Sequence, residues 1–216
     1  MSYVVFSPVE VVQPARAVPG IPALLQRGLE KILALVLLMV ASPVIVAAAI
    51  AIRLDTAGPV LFRQERHGLG GRIIRIYKFR TMRVVEPGSS AQQAVPGDAR
   101  VTRVGRFLRA SSIDELPQLL NVLTGDMALV GPRPHPIMLD KQFSPLIAGY
   151  MARYGVRPGI TGLAQVKGHR GPTPDVETMR QRVAADVEYA RRKSLALDAW
   201  ILVRTVPAVL GAKNAL

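Results

Sequence analysis

The hydrophobic and polar positions along the chain are unevenly divided. Residues 32–52 (ILALVLLMVASPVIVAAAIAI) run for 21 positions without a charge. A straight helix of that length rises roughly 30 Å, about one hydrocarbon core. The run starts too late and is too long for a secretory h-region, so it predicts a membrane-embedded anchor rather than a cleaved signal. Ser42-Pro43 interrupts it near the middle. Proline removes one helical N–H and crowds the preceding turn, which predicts a kink there. Positive charge flanks both ends, with Arg27 and Lys31 before and Arg53, Arg63 and Arg66 after. Cytoplasmic flanks are usually the Lys/Arg-rich ones, so two positive flanks suit a helix that enters, breaks and returns to the same face. A kinked single span and a buried core helix are the other readings.

Beyond this run the pattern changes period. Gly58-Pro59 marks a turn, and residues 60–62 begin a short strand. Gly68, Gly70 and Gly71 turn the chain, and the alternation of 73–79 (IIRIYKF) completes a β-hairpin. Residues 86–98 form a polar Pro/Gly-rich loop. Arg100–Arg109 and Asp114–Leu123 have helical composition, and Gly125 and 131–134 (GPRP) break the chain. Gly155–Gly171 reads as loop or short strand, and Val176–Arg192 as a long helix of mixed charge. Leu195–Leu210 is apolar but carries Asp198, Arg204, Pro207 and the sole tryptophan, Trp200. An interfacial helix and a helix packed on the core both account for it. The expected fold class is α+β and helix-rich, with a small hairpin. No GxGxxG follows a strand, so no Rossmann domain is expected. The expected organisation is a flexible tail over 1–24, a membrane helix over 25–55, and a domain over 56–216 ending in the interfacial helix.

Composition narrows the function. The chain has 216 residues, half of them hydrophobic, and a formal charge of +13. It is long enough for one full-sized domain and too apolar to be disordered. With a fifth of its residues charged, a polytopic membrane protein is not expected. The absence of cysteine excludes disulfide scaffolds, thiolate metal sites and cysteine catalysis. Three scattered histidines make a His-rich metal site a poor expectation. Such a basic chain seeks anionic partners.

The charge is concentrated. Between 60 and 110 stand eleven Lys/Arg against Glu65, Glu86 and Asp98, a local excess of 11 − 3 = +8. Arginine dominates, and its planar fork suits phosphate oxygens. A nucleic-acid groove would interleave aromatics for stacking, and the chain has only five Phe, five Tyr and one Trp. Nucleic acid is therefore not the expected partner; an anionic bilayer surface with a phosphorylated ligand is. A solvated basic face is the plain alternative. After this block comes SSIDELPQ (111–118). Ser112 and Glu115 have capping-box spacing, and Pro117 suits a first helical turn, so ordinary capping explains the segment. The same geometry serves chemistry. A helix N-terminus and nearby arginines would lower the carboxylate pKa and keep Asp114 ionised. An ionised carboxylate can hold a divalent cation or attack phosphorus. Arg109, five residues upstream, can meet the same phosphate.

Several stretches together resemble one family. They are Ser42-Pro43 in its apolar helix, GPVLFRQERHG (58–68), YKFRTM (77–82), RFLRASSIDELPQLLNVLTGDMALVGPRP (106–134) and RPGITGLAQVKG (157–168). The chain resembles the bacterial sugar transferases, the monotopic polyprenyl-phosphate phosphoglycosyl transferases, over nearly its whole length. The resemblance implies a re-entrant helix broken at Ser42-Pro43, with the catalytic domain on the cytoplasmic face of the bacterial inner membrane. It implies transfer of a sugar-1-phosphate from a UDP-sugar to undecaprenyl phosphate with release of UMP, the first membrane step of exopolysaccharide or glycan synthesis. It makes Asp114 the nucleophile and the ligand of a Mg²⁺ cofactor, with Glu115 assisting as a base. It places phosphate ligands at Arg66, Lys78, Arg80 and Arg109, a nucleotide contact at Arg133, and an acidic substrate-site position at Asp186. A homodimer is compatible with it. The larger members carry an N-terminal four-span region, so a minimal catalytic unit is expected here. They often have an aromatic residue where His169 stands, which bears on local loop contacts only. The C-terminal block from 168 looks most like the glucose-phosphate transferases, pointing to UDP-glucose, with UDP-galactose the near alternative. The competing class is a non-enzymatic basic protein that binds acidic lipid or nucleic acid at the membrane surface.

Overall fold

The computed structural model describes residues 23–83 and 97–210. Residues 1–22 of the expected tail over 1–24 and most of the loop over 86–98 lie outside the described residues. The chain opens with α1 (Ala23–Asp55), a helix unbroken through Pro43. Pro43 has no N–H for the carbonyl of Met39, four residues back. The Ser42 hydroxyl donates to that same carbonyl at 2.7 Å. The pair thus removes one backbone donor and supplies a side-chain one, which matters where water is absent. Only 11 % of the most apolar stretch of α1 is buried against the rest of the chain. That figure sets aside the core-helix reading: α1 is long and apolar enough to cross a membrane, and most of its apolar stretch is uncovered by the rest of the chain.

An antiparallel hairpin follows, β1 (Leu61–His67) paired with β2 (Ile73–Phe79) in the register Leu61↔Phe79 to His67↔Ile73. The predicted hairpin is present, its first strand longer than the 60–62 core. The end of α1 is fixed to it. Arg80, just past β2, donates to the carbonyls of Ala57, Thr56 (2.8 Å) and Ile52 (3.5 Å). Ala48 and Ile52 of α1 pack with Phe79 and with Leu108 of α2 (Arg103–Ala110). Helix α2 starts later than predicted because Thr102 caps it, its hydroxyl accepting from Gly105 N at 2.9 Å.

The predicted helix over 114–123 is split. Residues Ile113–Gln118, which include Pro117, form a 3-10 segment, and α3 (Leu119–Thr124) continues from it. Two short strands, β3 (Ala128–Val130) and β4 (Gly159–Thr161), pair in parallel. A short strand was one reading of 155–171, which holds β4; β3 and the pairing were not foreseen, since three residues are too few to show a period. Between them lie α4 (Ile137–Phe143) and a 3-10 segment, Tyr150–Gly155. Then come α5 (Leu163–Val166), α6 (Val176–Arg192) and α7 (Leu195–Leu210), the last two at their predicted bounds. The main core gathers Ile74 and Ile76 of β2, Leu119 and Val122 of α3, Leu129 and Val130 of β3, Tyr189 of α6 and Ile201 of α7. Ala34 of α1 reaches the same core, and Glu30 of α1 pairs with Arg157 at 2.6 Å. Helix α7 packs on the core through Ile201, which is fully buried, while Trp200, Val203 and Val206 are exposed.

Candidate active site

The acidic pair sits where three segments converge. Ser112 enters the 3-10 turn with φ 60°, the left-handed region that costs a non-glycine residue roughly 1–2 kcal/mol. Such strain persists only where neighbours hold it. Here Arg170 Nη2 donates to the Ser112 hydroxyl, and Glu115 N donates to the Ser112 carbonyl at 3.1 Å. The Ser112 side chain makes no cap bond, so the capping-box reading fails. The Glu115 carboxylate is turned elsewhere, onto Lys78 of β2 (2.8 Å) and, in a two-pronged pair, onto Arg133 (2.8 Å for Nη1–Oε2). Asn121 fixes the turn to the hairpin. Its side chain donates to Arg75 O at 2.7 Å and accepts from Tyr77 N at 3.0 Å.

The two carboxylates are shifted in opposite directions. Burial alone would raise Glu115, but Arg133 and Lys78 outweigh it and hold the group well below the usual range. Burial pushes Asp114 up, Lys78 partly offsets this, and the Glu115 charge adds to the rise. The expectation that nearby arginines depress Asp114 is thus reversed: desolvation wins, and Glu115 is the carboxylate held ionised by cations. The Asp114 carboxylate accepts no hydrogen bond among the described residues. Five cations, Arg66, Lys78, Arg109, Arg133 and Arg170, act on these two acids. The balance is 5 − 2 = +3, which a polyanion would neutralise. Burial lowers Arg66 to about 9, and Arg133 beside it adds to the fall.

The sequence-predicted residues divide accordingly. Asp114, Glu115, Lys78, Arg66, Arg109 and Arg133 come together. Arg66 donates to Pro134 O at 2.8 Å, which fixes the GPRP turn. Among the described residues, Nε of Arg66 and Nη1 of Arg109 are buried without a hydrogen-bond partner. Arg80 is not in the cluster; its guanidinium caps the end of α1. Asp186 is not in it either. It is 1 % exposed and pairs with Arg153 at 2.7 and 3.1 Å. Arg153 in turn donates to Arg133 O at 2.6 Å and contacts the ring of His135. A buried ion pair therefore supports the turn that presents Arg133, and a substrate-site place for Asp186 is not what the structure gives. Sequence reasoning missed Arg170 and Arg153. Arg170 directly follows His169 in a loop with no charge pattern of its own, and Arg153, in MARYG, had no local signal.

Mg²⁺ takes few protein carboxylates and fills its octahedron with substrate phosphates and water. The site offers one carboxylate without a partner, Asp114, and no group of three acidic or His side chains among the described residues. That donor set fits Mg²⁺ held jointly with a bound diphosphate, not a metal caged by protein alone.

A model of the bacterial sugar transferase family matches residues 21–212. The chain belongs to that family. It is 55 % identical over 190 residues to a UDP-glucose:undecaprenyl-phosphate glucose-1-phosphate transferase of Caulobacter vibrioides, covering 88 % of this chain and 71 % of that protein. It is 48 % identical over 187 residues to a transferase of the same name from Escherichia coli, covering 87 % of this chain and 40 % of that one. An exopolysaccharide production protein of Rhizobium leguminosarum is 42 % identical over 190 residues, 86 % of this chain and 95 % of its own length. The chain thus spans well under half of the E. coli relative and nearly all of the Rhizobium one.

Proposed function

We propose that this sugar transferase moves a hexose-1-phosphate from a UDP-sugar, most simply UDP-glucose, to undecaprenyl phosphate, releasing UMP. The observation that carries the reading is the asymmetric acidic pair, with Glu115 locked by Lys78 and Arg133 beside an Asp114 whose carboxylate accepts no hydrogen bond among the described residues. The names of the Caulobacter and E. coli relatives support donor and acceptor, and the Rhizobium relative supports a place in exopolysaccharide synthesis. A non-enzymatic basic surface protein would not need this arrangement and is not favoured.

The chemistry follows from the side chains. An Asp114 carboxylate oxygen attacks the phosphorus that bears the sugar, the bond to the UMP oxygen breaks, and UMP leaves. Burial raises the basicity of that oxygen, which strengthens it as a nucleophile once ionised. The acceptor phosphate oxygen then attacks the same phosphorus and Asp114 is freed. Two anions must meet in each step; Lys78, Arg133, Arg109 and Arg66 lower that repulsion. Bound Mg²⁺, held by Asp114 and the donor phosphates, would supply further charge neutralisation. Glu115, held ionised by two cations, fits an anchor for Lys78 and Arg133 better than a proton acceptor. A phosphate monoester has a second pKa near 6 and needs little help from a base. The acceptor phosphate lies at headgroup level. We place the catalytic face there, on the cytoplasmic side of the bacterial inner membrane, with α1 returning to that face at Ser42-Pro43 and the exposed side of α7 lying on the interface. UMP release from a panel of UDP-sugars, with undecaprenyl phosphate and Mg²⁺, tests the reading. Release from one donor that is lost in Asp114→Asn supports it; no release from any donor by inserted, folded protein overturns it.

A further inference from the structure

We propose that Thr173 and Arg182 form a hydroxyl-recognition site that reads the hexose of the UDP-sugar donor. The inference rests on the reaction proposed above and deepens it. Thr173 and Arg182 are 5 % exposed each. Among the described residues, the Thr173 hydroxyl and the Arg182 Nε are buried without a hydrogen-bond partner. Leaving such groups dry and unpaired is costly, so something from outside the chain meets them.

Their place ties them to the nucleophile. The loop between α5 and α6 is held at three points. Arg170 Nη2 donates to the hydroxyl of Ser112, two residues before Asp114. Arg182 Nη2 donates to Gly171 O at 2.7 Å. Asp175 caps α6, accepting from Thr178 N at 2.7 Å. Thr173 lies between the last two ties. Arg182 stands one turn before Asp186 on α6, and Arg153 joins Asp186 to the carbonyl of Arg133. Burial lowers Arg182 to about 10, and Arg133 adds to the fall. The loop thus runs from the turn that carries Asp114 to the helix that steadies Arg133.

Two features select the occupant. The unpaired groups are one N–H, which donates, and one hydroxyl, which donates and accepts. Sugar hydroxyls also donate and accept, so they can satisfy both, whereas an ionised phosphate only accepts. Position then separates the hexose from the ribose of the same donor. The hexose is one oxygen away from the phosphorus that Asp114 attacks; the ribose lies beyond a second phosphate. The hexose also stays on Asp114 after UMP leaves, so a loop fixed beside Asp114 keeps hold of the part that is transferred.

The test uses the full chain and reads UMP release. It compares the UDP-hexose that supports release with its monodeoxy analogues, each lacking one hexose hydroxyl. Thr173→Val keeps the side-chain shape and removes the hydroxyl. Its kcat/KM for the intact donor is expected to fall about tenfold, with no added loss for the one analogue that lacks the partner hydroxyl. Thr173→Ser is expected to recover most of the activity. Inhibition by UMP, which has no hexose, is expected to change less than about twofold. An equal loss for every analogue overturns the proposal: with weaker UMP inhibition it assigns Thr173 to the nucleotide, and without it to the fold of the loop. Unchanged kinetics for all donors would leave ordered water as the partner and overturn it too. Arg182→Lys keeps the charge and loses Nε–H; it is expected to show the same dependence on a single hydroxyl, and a uniform loss would remove Arg182 from the site. No release from any UDP-sugar by the unmodified protein would sink the reaction instead, so the two failures are distinct.

Discussion

Asp114 and Glu115 are adjacent, yet their surroundings give them different work. Asp114→Asn keeps the shape and removes the attacking anion; UMP release is expected to fall at least about a thousandfold. Asp114 is raised by burial and by Glu115, so it takes up a proton at higher pH than a solvated aspartate. Activity carried by its anion is therefore lost as pH falls through that raised value. Glu115→Gln removes one raising charge and releases Lys78 and Arg133 to act on Asp114. The acid limb of kcat/KM should move to lower pH in that variant, and a limb that stays or moves up contradicts the assignment. Asp186 separates two roles by a different readout. Asp186→Ala strands Arg153 in the interior, an effect of roughly 3–5 kcal/mol on unfolding free energy. A phosphate-binding role would instead raise the donor KM and leave stability alone. At this scale the sequence showed the acids and most of their cations. It did not show the direction of the Asp114 shift, because burial and the Lys78–Glu115–Arg133 pairing depend on segments far apart in the chain.

At the scale of elements, the GPRP turn owes its place to backbones in close approach. Gly131 N donates to Thr161 O at 2.8 Å, and Gly159 N to Pro132 O at 3.0 Å. A Cβ on Gly131 would lie 2.3 Å from Arg157 O and 2.9 Å from Gly159 N. Both are backbone atoms and cannot turn aside, so Gly131→Ala is expected to destabilise by about 3 kcal/mol or more, read as a large drop in Tm. Gly28→Ala on α1, where a Cβ meets nothing within 4 Å, is the control and should be neutral or slightly stabilising. Helices α6 and α7 were legible because length reveals period and charge pattern. The hairpin was legible from its alternation and glycine turn. The β3–β4 pair was not, since each strand is three residues long and both are defined by the pairing of residues 128–130 with 159–161. The 3-10 turn at Asp114 escaped for a related reason: the left-handed Ser112 is held by Arg170, 58 residues away.

At the scale of the whole molecule, an exposed apolar helix is joined to a basic domain at both of its ends. Glu30 pairs with Arg157 near the start of α1, and Arg80 holds the carbonyls at its finish. The native chain has no cysteine, so single introduced cysteines report topology cleanly. In sealed vesicles, Arg27→Cys and Ala57→Cys should react with an impermeant maleimide from the same side. Reaction from opposite sides would establish a span and reject the return at Ser42-Pro43. The central claim is that Asp114 carries the sugar phosphate between donor and acceptor. The most direct measurement is peptide mass analysis after mixing the protein with the donor UDP-sugar and Mg²⁺ in the absence of acceptor. The account predicts one hexose-phosphate adduct on the peptide containing Asp114, discharged by added undecaprenyl phosphate. UMP formed at full rate only when acceptor is present, with no adduct on that peptide, would contradict it.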